Sequence, residues 1–108
     1  MKINILGTDY EIIEQTAEEN HKLDDNNGIC EQWSKKIIID SNILKPHKLL
    51  VEQPELYKNK VLRHEIIHAF FHESGLSEYR NDETLVDYLA MQLPKIVKLM
   101  QGAGCWDK

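Results

Sequence analysis

The sequence has few cysteines and no long apolar run. Its two cysteines, Cys30 and Cys105, stand far apart and form no C-x-x-C pair, so no disulfide framework is visible. No segment is long or apolar enough to predict a membrane span, and Met1 to Gly7 is too short and polar for a signal peptide. We therefore expect a cytoplasmic protein with reduced thiols and no membrane association.

The chain also lacks the clustered basic face of a nucleic-acid-binding protein. Its 13 lysines and arginines are outnumbered by 18 aspartates and glutamates, which gives a formal net charge of −5. A chain of 108 residues can bury one core, so we expect a single domain over residues 1–108 and no nucleic-acid partner. A loose basic patch does precede the central motif, and we interpret it as a solvated helix face; it comprises Lys45, Lys48, Lys58, Lys60 and Arg63.

The most informative stretch is His64-Glu65-Ile66-Ile67-His68. Residues four apart lie one turn apart on the same helix face, so both imidazoles can reach a single ion. Glu65 flanks that ion and can act as a general base on metal-bound water. Apolar neighbours place the motif on a core helix; they are Leu62, Ile66, Ile67, Ala69, Phe70 and Phe71. The pattern predicts a metal site, with zinc as the expected ion and Glu65 as the catalytic carboxylate.

The half of the chain before this motif favours strands. A hairpin is predicted from Lys2–Leu6 and Tyr10–Gln15 around Gly7-Thr8-Asp9, and two further strands over Ile29–Trp33 and Lys36–Asp40 around Ser34-Lys35. The turn Asp24-Asp25-Asn26-Asn27-Gly28 lacks the ligand spacing of a calcium loop. We expect a small, mostly antiparallel sheet. Pro46 argues against a long helix between Ser41 and Gln53.

Two helices are predicted after the strands. The first runs from Pro54, which suits a first helical position, to Ser74, and Gly75 is a natural stop. Leu76–Arg80 is a short connection. Asn81 is the expected N-cap of the second helix, Pro94 should kink or break that helix, and Met100–Lys108 is expected to fray. The predicted class is α+β.

A catalytic zinc usually has three protein ligands and one open position, so a third ligand is needed. His72 lies two turns from His64 and is better suited to the helix end or the pocket wall. Glu83 begins a helix that folds back beside the first, which favours it as the third ligand, although it could instead serve as a cap. The downstream residues that could supply this ligand are His72, Glu73, Glu78, Asp82, Glu83 and Asp87.

Three further residues are candidates for supporting roles at the site. Asp87 lies four residues after Glu83 on one helix face, where it could fix the tautomer of His64 or simply be solvated. Tyr79 and His72 are the groups available to steady an oxyanion or contact substrate, although Tyr79 could equally anchor its loop.

With these residues in view, the sequence resembles the gluzincins, the thermolysin-like zinc peptidases. More narrowly, Glu83-Thr84-Leu85-Val86-Asp87-Tyr88-Leu89-Ala90 is similar to the second-helix signature of the ImmA/IrrE-type metallopeptidases of bacteria and phages. In layout the resemblance covers roughly Gly28 to Pro94. It implies a minimal zincin-like fold, one Zn2+ held by His64, His68 and Glu83, Glu65 as general base and Asp87 as the partner of a ligand.

The resemblance further implies peptide-bond hydrolysis, with a protein or peptide substrate such as a regulatory protein, because ImmA/IrrE relatives cleave repressors. A different class of function is compatible with the same ligands: a catalytically silent zinc-containing interaction module such as an anti-repressor. Retention of Glu65 favours the enzyme, since a purely structural zinc site does not need a general base.

Overall fold

The computed structural model describes residues 1–43 and 53–107. Most of the stretch between Ser41 and Gln53, including Pro46, lies outside these residues, as do Lys45 and Lys48 of the basic patch. The described part is an α+β fold in which four strands precede the helices. The strands are β1 (Lys2–Ile5), β2 (Thr8–Gln15), β3 (Gly28–Glu31) and β4 (Lys36–Asp40), a 3₁₀ helix spans His21–Asp24, and the helices are α1 (Pro54–Glu73), α2 (Ser77–Arg80) and α3 (Glu83–Gly102).

The predicted β1–β2 hairpin is confirmed, with its turn slightly earlier in the chain. Leu6 and Gly7 form the turn with φ angles of 50° and 95°. Positive φ at both central residues is typical of the two-residue hairpin turn whose twist matches that of the strands. The side chain of Asn4 supports this turn by accepting a hydrogen bond from the Gly7 amide at 2.9 Å.

The sheet is mixed: two of its three strand pairings are antiparallel, as expected for a mostly antiparallel sheet, and one is parallel. Its strand order is β1-β2-β4-β3, with β1–β2 and β4–β3 antiparallel and β2–β4 parallel. The parallel pairing arises because the chain crosses over after β2 and returns through β3, so β4 enters the centre. Ile37, Ile38 and Ile39 are buried on both faces of this central strand, which explains the unbroken β-branched run.

Helix α1 packs on the sheet and matches its prediction to within one residue. Pro54 is at its start, Ser74 is the C-cap, and Gly75 follows with φ of 82°. The apolar core between sheet and helix contains Ile5, Tyr10, Ile37, Ile39, Ile43, Val61 and Ala69. At the end of α1, the Glu73 carboxylate accepts hydrogen bonds from Tyr10, Thr8 and Lys35, which ties the helix to the sheet.

Helix α3 differs from its prediction at the N-cap and at the C-terminal end, and it is not broken at Pro94. Its N-cap is Asp82 rather than Asn81, because the Asp82 carboxylate accepts the Leu85 amide at 3.0 Å. Helix α3 also runs through Pro94 without a break and continues to Gly102, beyond the expected start of fraying. Pro94 leaves the Ala90 carbonyl without its usual amide partner. Arg63 Nε on α1 donates to that carbonyl at 2.7 Å and so replaces the lost bond.

The predicted connection over Leu76–Arg80 contains the single-turn helix α2, which packs beside α1 and α3. A smaller apolar cluster joins α1 to α3 through Ile67, Val86 and Ala90. This packing brings the start of α3 next to the middle of α1. Among the described residues, no helix combines the length and apolar character needed to cross a bilayer.

Candidate metal centre

His64 and His68 lie one turn apart on α1 and their rings meet edge to face. The ring centroids are 4.8 Å apart at an interplanar angle of 67°. The two Nε2 atoms face each other at 3.1 Å. The spacing of the motif therefore brings both imidazoles to one point, as expected for residues four apart on a helix.

Glu83 completes the cluster from the first turn of α3. Its Oε2 lies 2.9 Å from His64 Nε2, and its Oε1 lies 3.0 Å from His68 Nε2. One ligand atom from each of the three residues can be chosen so that all lie within 4.8 Å of one another. The Glu83 side chain is 68% exposed, whereas those of His64 and His68 are 16% and 9% exposed, so the cluster is open to solvent on the Glu83 side.

The other nitrogen of each ring has a defined partner. His68 Nδ1 donates to the backbone carbonyl of Arg80, and His64 Nδ1 donates to Asp87 Oδ1 at 3.3 Å. Lys60 holds the same Asp87 oxygen, and this hydrogen bond is the main reason that the pKa of Asp87 is lowered. A carbonyl or carboxylate can only accept, so each Nδ1 carries a proton, and in a neutral ring Nε2 is then the nitrogen that can bind a metal ion.

With both rings neutral and protonated on Nδ1, two imidazole lone pairs and one carboxylate converge at about hydrogen-bond distance. Such a group of acceptors is mutually repulsive unless a proton or a metal cation lies among them. Ligand atoms of a tetrahedral zinc, at about 2.0–2.2 Å from the ion, lie about 3.3–3.6 Å apart. One ligand atom from each residue can be chosen with all separations below 4.8 Å, so this group of residues could hold a zinc ion.

Glu65 lies beside this cluster and is only 7% exposed. Burial, reinforced by the negative charge of Glu83 and opposed by Lys60, raises the pKa of Glu65 to about 7. A carboxyl group with that pKa can exchange a proton near neutral pH, which is the property of a general base or acid. Raised carboxyl pKa values are common at active sites. Here the raised pKa occurs in a carboxyl group that lines the same cavity as His64, His68 and Glu83.

Two adjoining cavities run past the cluster along β3. Their volumes are about 360 Å³ and 230 Å³, and they share a wall formed by Asn26, Gly28, His64 and Glu65. Gln32, Asn81 and Glu83 line the larger cavity, and Lys60 and Asp87 line the smaller one. A groove of this kind, open and polar, offers space for a substrate beside the carboxylate of Glu65.

Gly28 allows α1 to approach the edge of the sheet at this point. A Cβ at this position would lie 2.8 Å from Val61 Cγ1 and 3.1 Å from Glu65 Cγ, closer than such atoms pack. The absence of a side chain on Gly28 therefore sets the distance between β3 and Glu65.

The two residues expected to steady an oxyanion lie away from the cavities. Tyr79 packs its ring against Phe71 at a centroid distance of 5.9 Å. His72 Nδ1 accepts a hydrogen bond from Arg80 Nη1 at 2.8 Å, and its ring meets that of Trp33. Neither residue lines either of the two cavities, so their predicted role gains no support from the described geometry.

Several contributors to the site have no motif in the sequence. Arg80 holds His68 through a backbone carbonyl, which every residue type carries, and Lys60 reaches Asp87 from one turn before His64. Asn81 lines the larger cavity. The capping role expected of it is taken by Asp82. Cys30 also lines that cavity, but burial raises the pKa of its thiol to about 12, which disfavours the thiolate that binds metals.

Comparison of the chain with protein-family models, with curated proteins and with solved structures found no match.

Proposed function

We propose that this protein is a zinc-dependent peptide-bond hydrolase related to the gluzincins, acting in the cytoplasm on a protein or peptide such as a regulatory protein. The proposal is supported by one observation above all. The Nε2 atoms of His64 and His68 converge with the Glu83 carboxylate, and the buried carboxyl group of Glu65 stands beside them. Structural zinc sites usually have four protein ligands, whereas the described residues supply three to this cluster and leave one side exposed.

The chemistry divides between a metal ion and the chain. Zinc bound by His64, His68 and Glu83 would supply a Lewis acid that activates water and polarises the scissile carbonyl. Glu65 takes a proton from the attacking water and returns it to the leaving nitrogen, a role that its pKa of about 7 suits. Asp87 and the Arg80 carbonyl keep both histidines in the tautomer that presents Nε2 to the cluster.

An extended peptide is the substrate that the groove suits best. Strand β3 lies at the edge of the sheet and pairs only with β4 among the described strands. An edge strand can bind an extended peptide by strand addition, with main-chain hydrogen bonds on one side. The amides of Asn26, Gln32 and Asn81 line the adjoining cavity and can bond to peptide groups.

The test is hydrolysis of an unfolded, fluorescently labelled protein and of a mixed peptide library by zinc-loaded protein. Glu65→Gln should retain zinc and lose at least about 100-fold in rate, since general base catalysis contributes on that scale. Glu55→Gln, on an exposed position of the same helix, is the matched control and should keep wild-type activity. Undiminished hydrolysis by Glu65→Gln would remove Glu65 from the mechanism, and zinc-loaded wild type inert toward all substrates would favour the silent interaction module.

A further inference from the structure

His72 is the histidine of α1 that the proposed mechanism does not use. It lies one turn beyond His68 and is partly buried. Its Nδ1 is 2.8 Å from Arg80 Nη1. A guanidinium can only donate, so His72 Nδ1 is the acceptor of this hydrogen bond. The ring is also held from the side by Trp33, at a centroid distance of 5.5 Å and an angle of 78°.

Arg80 is thus bound to two histidines of α1 at once. Its guanidinium donates to His72, and its backbone carbonyl accepts the Nδ1 proton of His68. The two contacts lie one helical turn apart on α1. Arg80 therefore links the ring of His72 to the ring of His68 through a single residue.

The element that carries Arg80, helix α2, is short and mostly exposed. Helix α2 has four residues, none of which is buried. A helix of this length is not stable by itself and takes its position from contacts to its neighbours. Helix α2 packs beside α1, and the side-chain contacts between them include the ring of Tyr79 against Phe71, the bond from Arg80 to His72 and the bond from His68 to the Arg80 carbonyl. Loss of the bond between Arg80 and His72 should loosen the position of the carbonyl that orients His68.

We propose that His72 is a positioning residue for the metal centre: it holds Arg80, and the Arg80 carbonyl in turn fixes the tautomer and rotation of His68. The inference rests on the metal-binding part of the proposed function and not on hydrolysis. It assigns His72 no contact with substrate or with the reacting atoms. It also gives a reason for a third histidine on a helix where only two can reach one ion.

The experiment measures zinc affinity of the full chain by competition with a chromophoric chelator. His72→Ala should weaken zinc binding by about 10-fold or more, as is typical when the partner of a ligand is lost. His72→Asn should restore most of that affinity, because its side-chain oxygen can accept the Arg80 bond. His21→Ala, at a histidine whose side chain is 82% exposed, is the matched control and should bind as the wild type does.

A double-mutant cycle separates the bond from general destabilisation. Arg80→Met keeps the backbone carbonyl and removes the guanidinium, so it should weaken binding as His72→Ala does, and the double variant should be no weaker than either single one. The Co2+ absorption spectrum should change in His72→Ala and return toward wild type in His72→Asn. Urea unfolding of the metal-free variants is the control for folding, and each variant should unfold in a cooperative transition.

Additive losses in the cycle, equal weakening by His72→Ala and His72→Asn, or wild-type affinity in His72→Ala would each overturn the inference. In all three cases the wild type still binds zinc, so the proposed function is untouched. A wild type that binds no zinc would overturn both.

Discussion

Glu73 provides the clearest test of what holds α1 on the sheet. Its carboxylate accepts hydrogen bonds from Tyr10 at 2.6 Å, Lys35 at 2.8 Å and Thr8 at 2.9 Å. The carboxylate is 12% exposed, and its partners come from β2 and from the turn before β4. Replacing it by glutamine keeps the shape of the side chain and removes the charge. Glu73→Gln should therefore lose the charged part of these contacts without opening a cavity.

The pKa of Glu73 sets the size and sign of the effect. The hydrogen bond from Lys35, followed by that from Tyr10, lowers this pKa from 4.5 to about 2. A full shift of that size corresponds to about 3 kcal/mol, and screening by nearby water at the helix end reduces the expected contribution to about 1–2 kcal/mol. Because the pKa is lower in the folded state, this stability is present above pH 4.5 and is lost as the pH falls toward 2.

The assay is urea unfolding of metal-free wild type and Glu73→Gln at pH 7 and at pH 2.5. The wild type should be more stable by about 1–2 kcal/mol at pH 7, and the difference should shrink at pH 2.5. Glu18→Gln, at an exposed glutamate, is the control and should change stability little at either pH. A difference that is the same at both pH values would refute the assignment of the stabilisation to the charged carboxylate.

Three further predictions concern the packing and support of the site. Gly28→Ala should cost about 1–3 kcal/mol in urea unfolding, because the new Cβ meets Val61 and Glu65; stability unchanged from wild type would contradict the close approach. Arg63→Met should cost about 1–3 kcal/mol by leaving the Ala90 carbonyl unpaired, with Lys98→Met on the exposed side of α3 as control; equal effects of the two would argue against the bond. Asp87→Ala should weaken zinc binding by about 10-fold or more in chelator competition, and undiminished affinity would deny it a role behind His64.

Local signals account for the parts of the fold that could be predicted from sequence. The β1–β2 hairpin and the boundaries of α1 follow from periodicity and from Pro54 and Gly75, which act within a few residues. The juxtaposition of His64 and His68 follows from helix geometry alone. These features depend on neighbours in the chain and not on how the elements pack.

The features that were missed depend on tertiary contacts. Asn81 and Asp82 are both good N-caps, and only the backbone path decides which one faces the Leu85 amide. Pro94 is tolerated because Arg63, 31 positions earlier, supplies the missing donor. The parallel β2–β4 pairing depends on the crossover between distant strands. The hold of Arg80 on His68 uses a backbone carbonyl, which has no sequence signature.

The central claim is that His64, His68 and Glu83 together bind one divalent ion, and zinc stoichiometry tests it most directly. Metal-free protein is dialysed against buffered zinc and analysed for metal per chain, beside Glu83→Ala and, as control, Glu78→Ala at an exposed carboxylate of α2. We predict one tightly bound zinc in the wild type and in the control, and loss of tight binding in Glu83→Ala. A wild type without bound zinc, or a Glu83→Ala variant that retains it fully, would contradict the account.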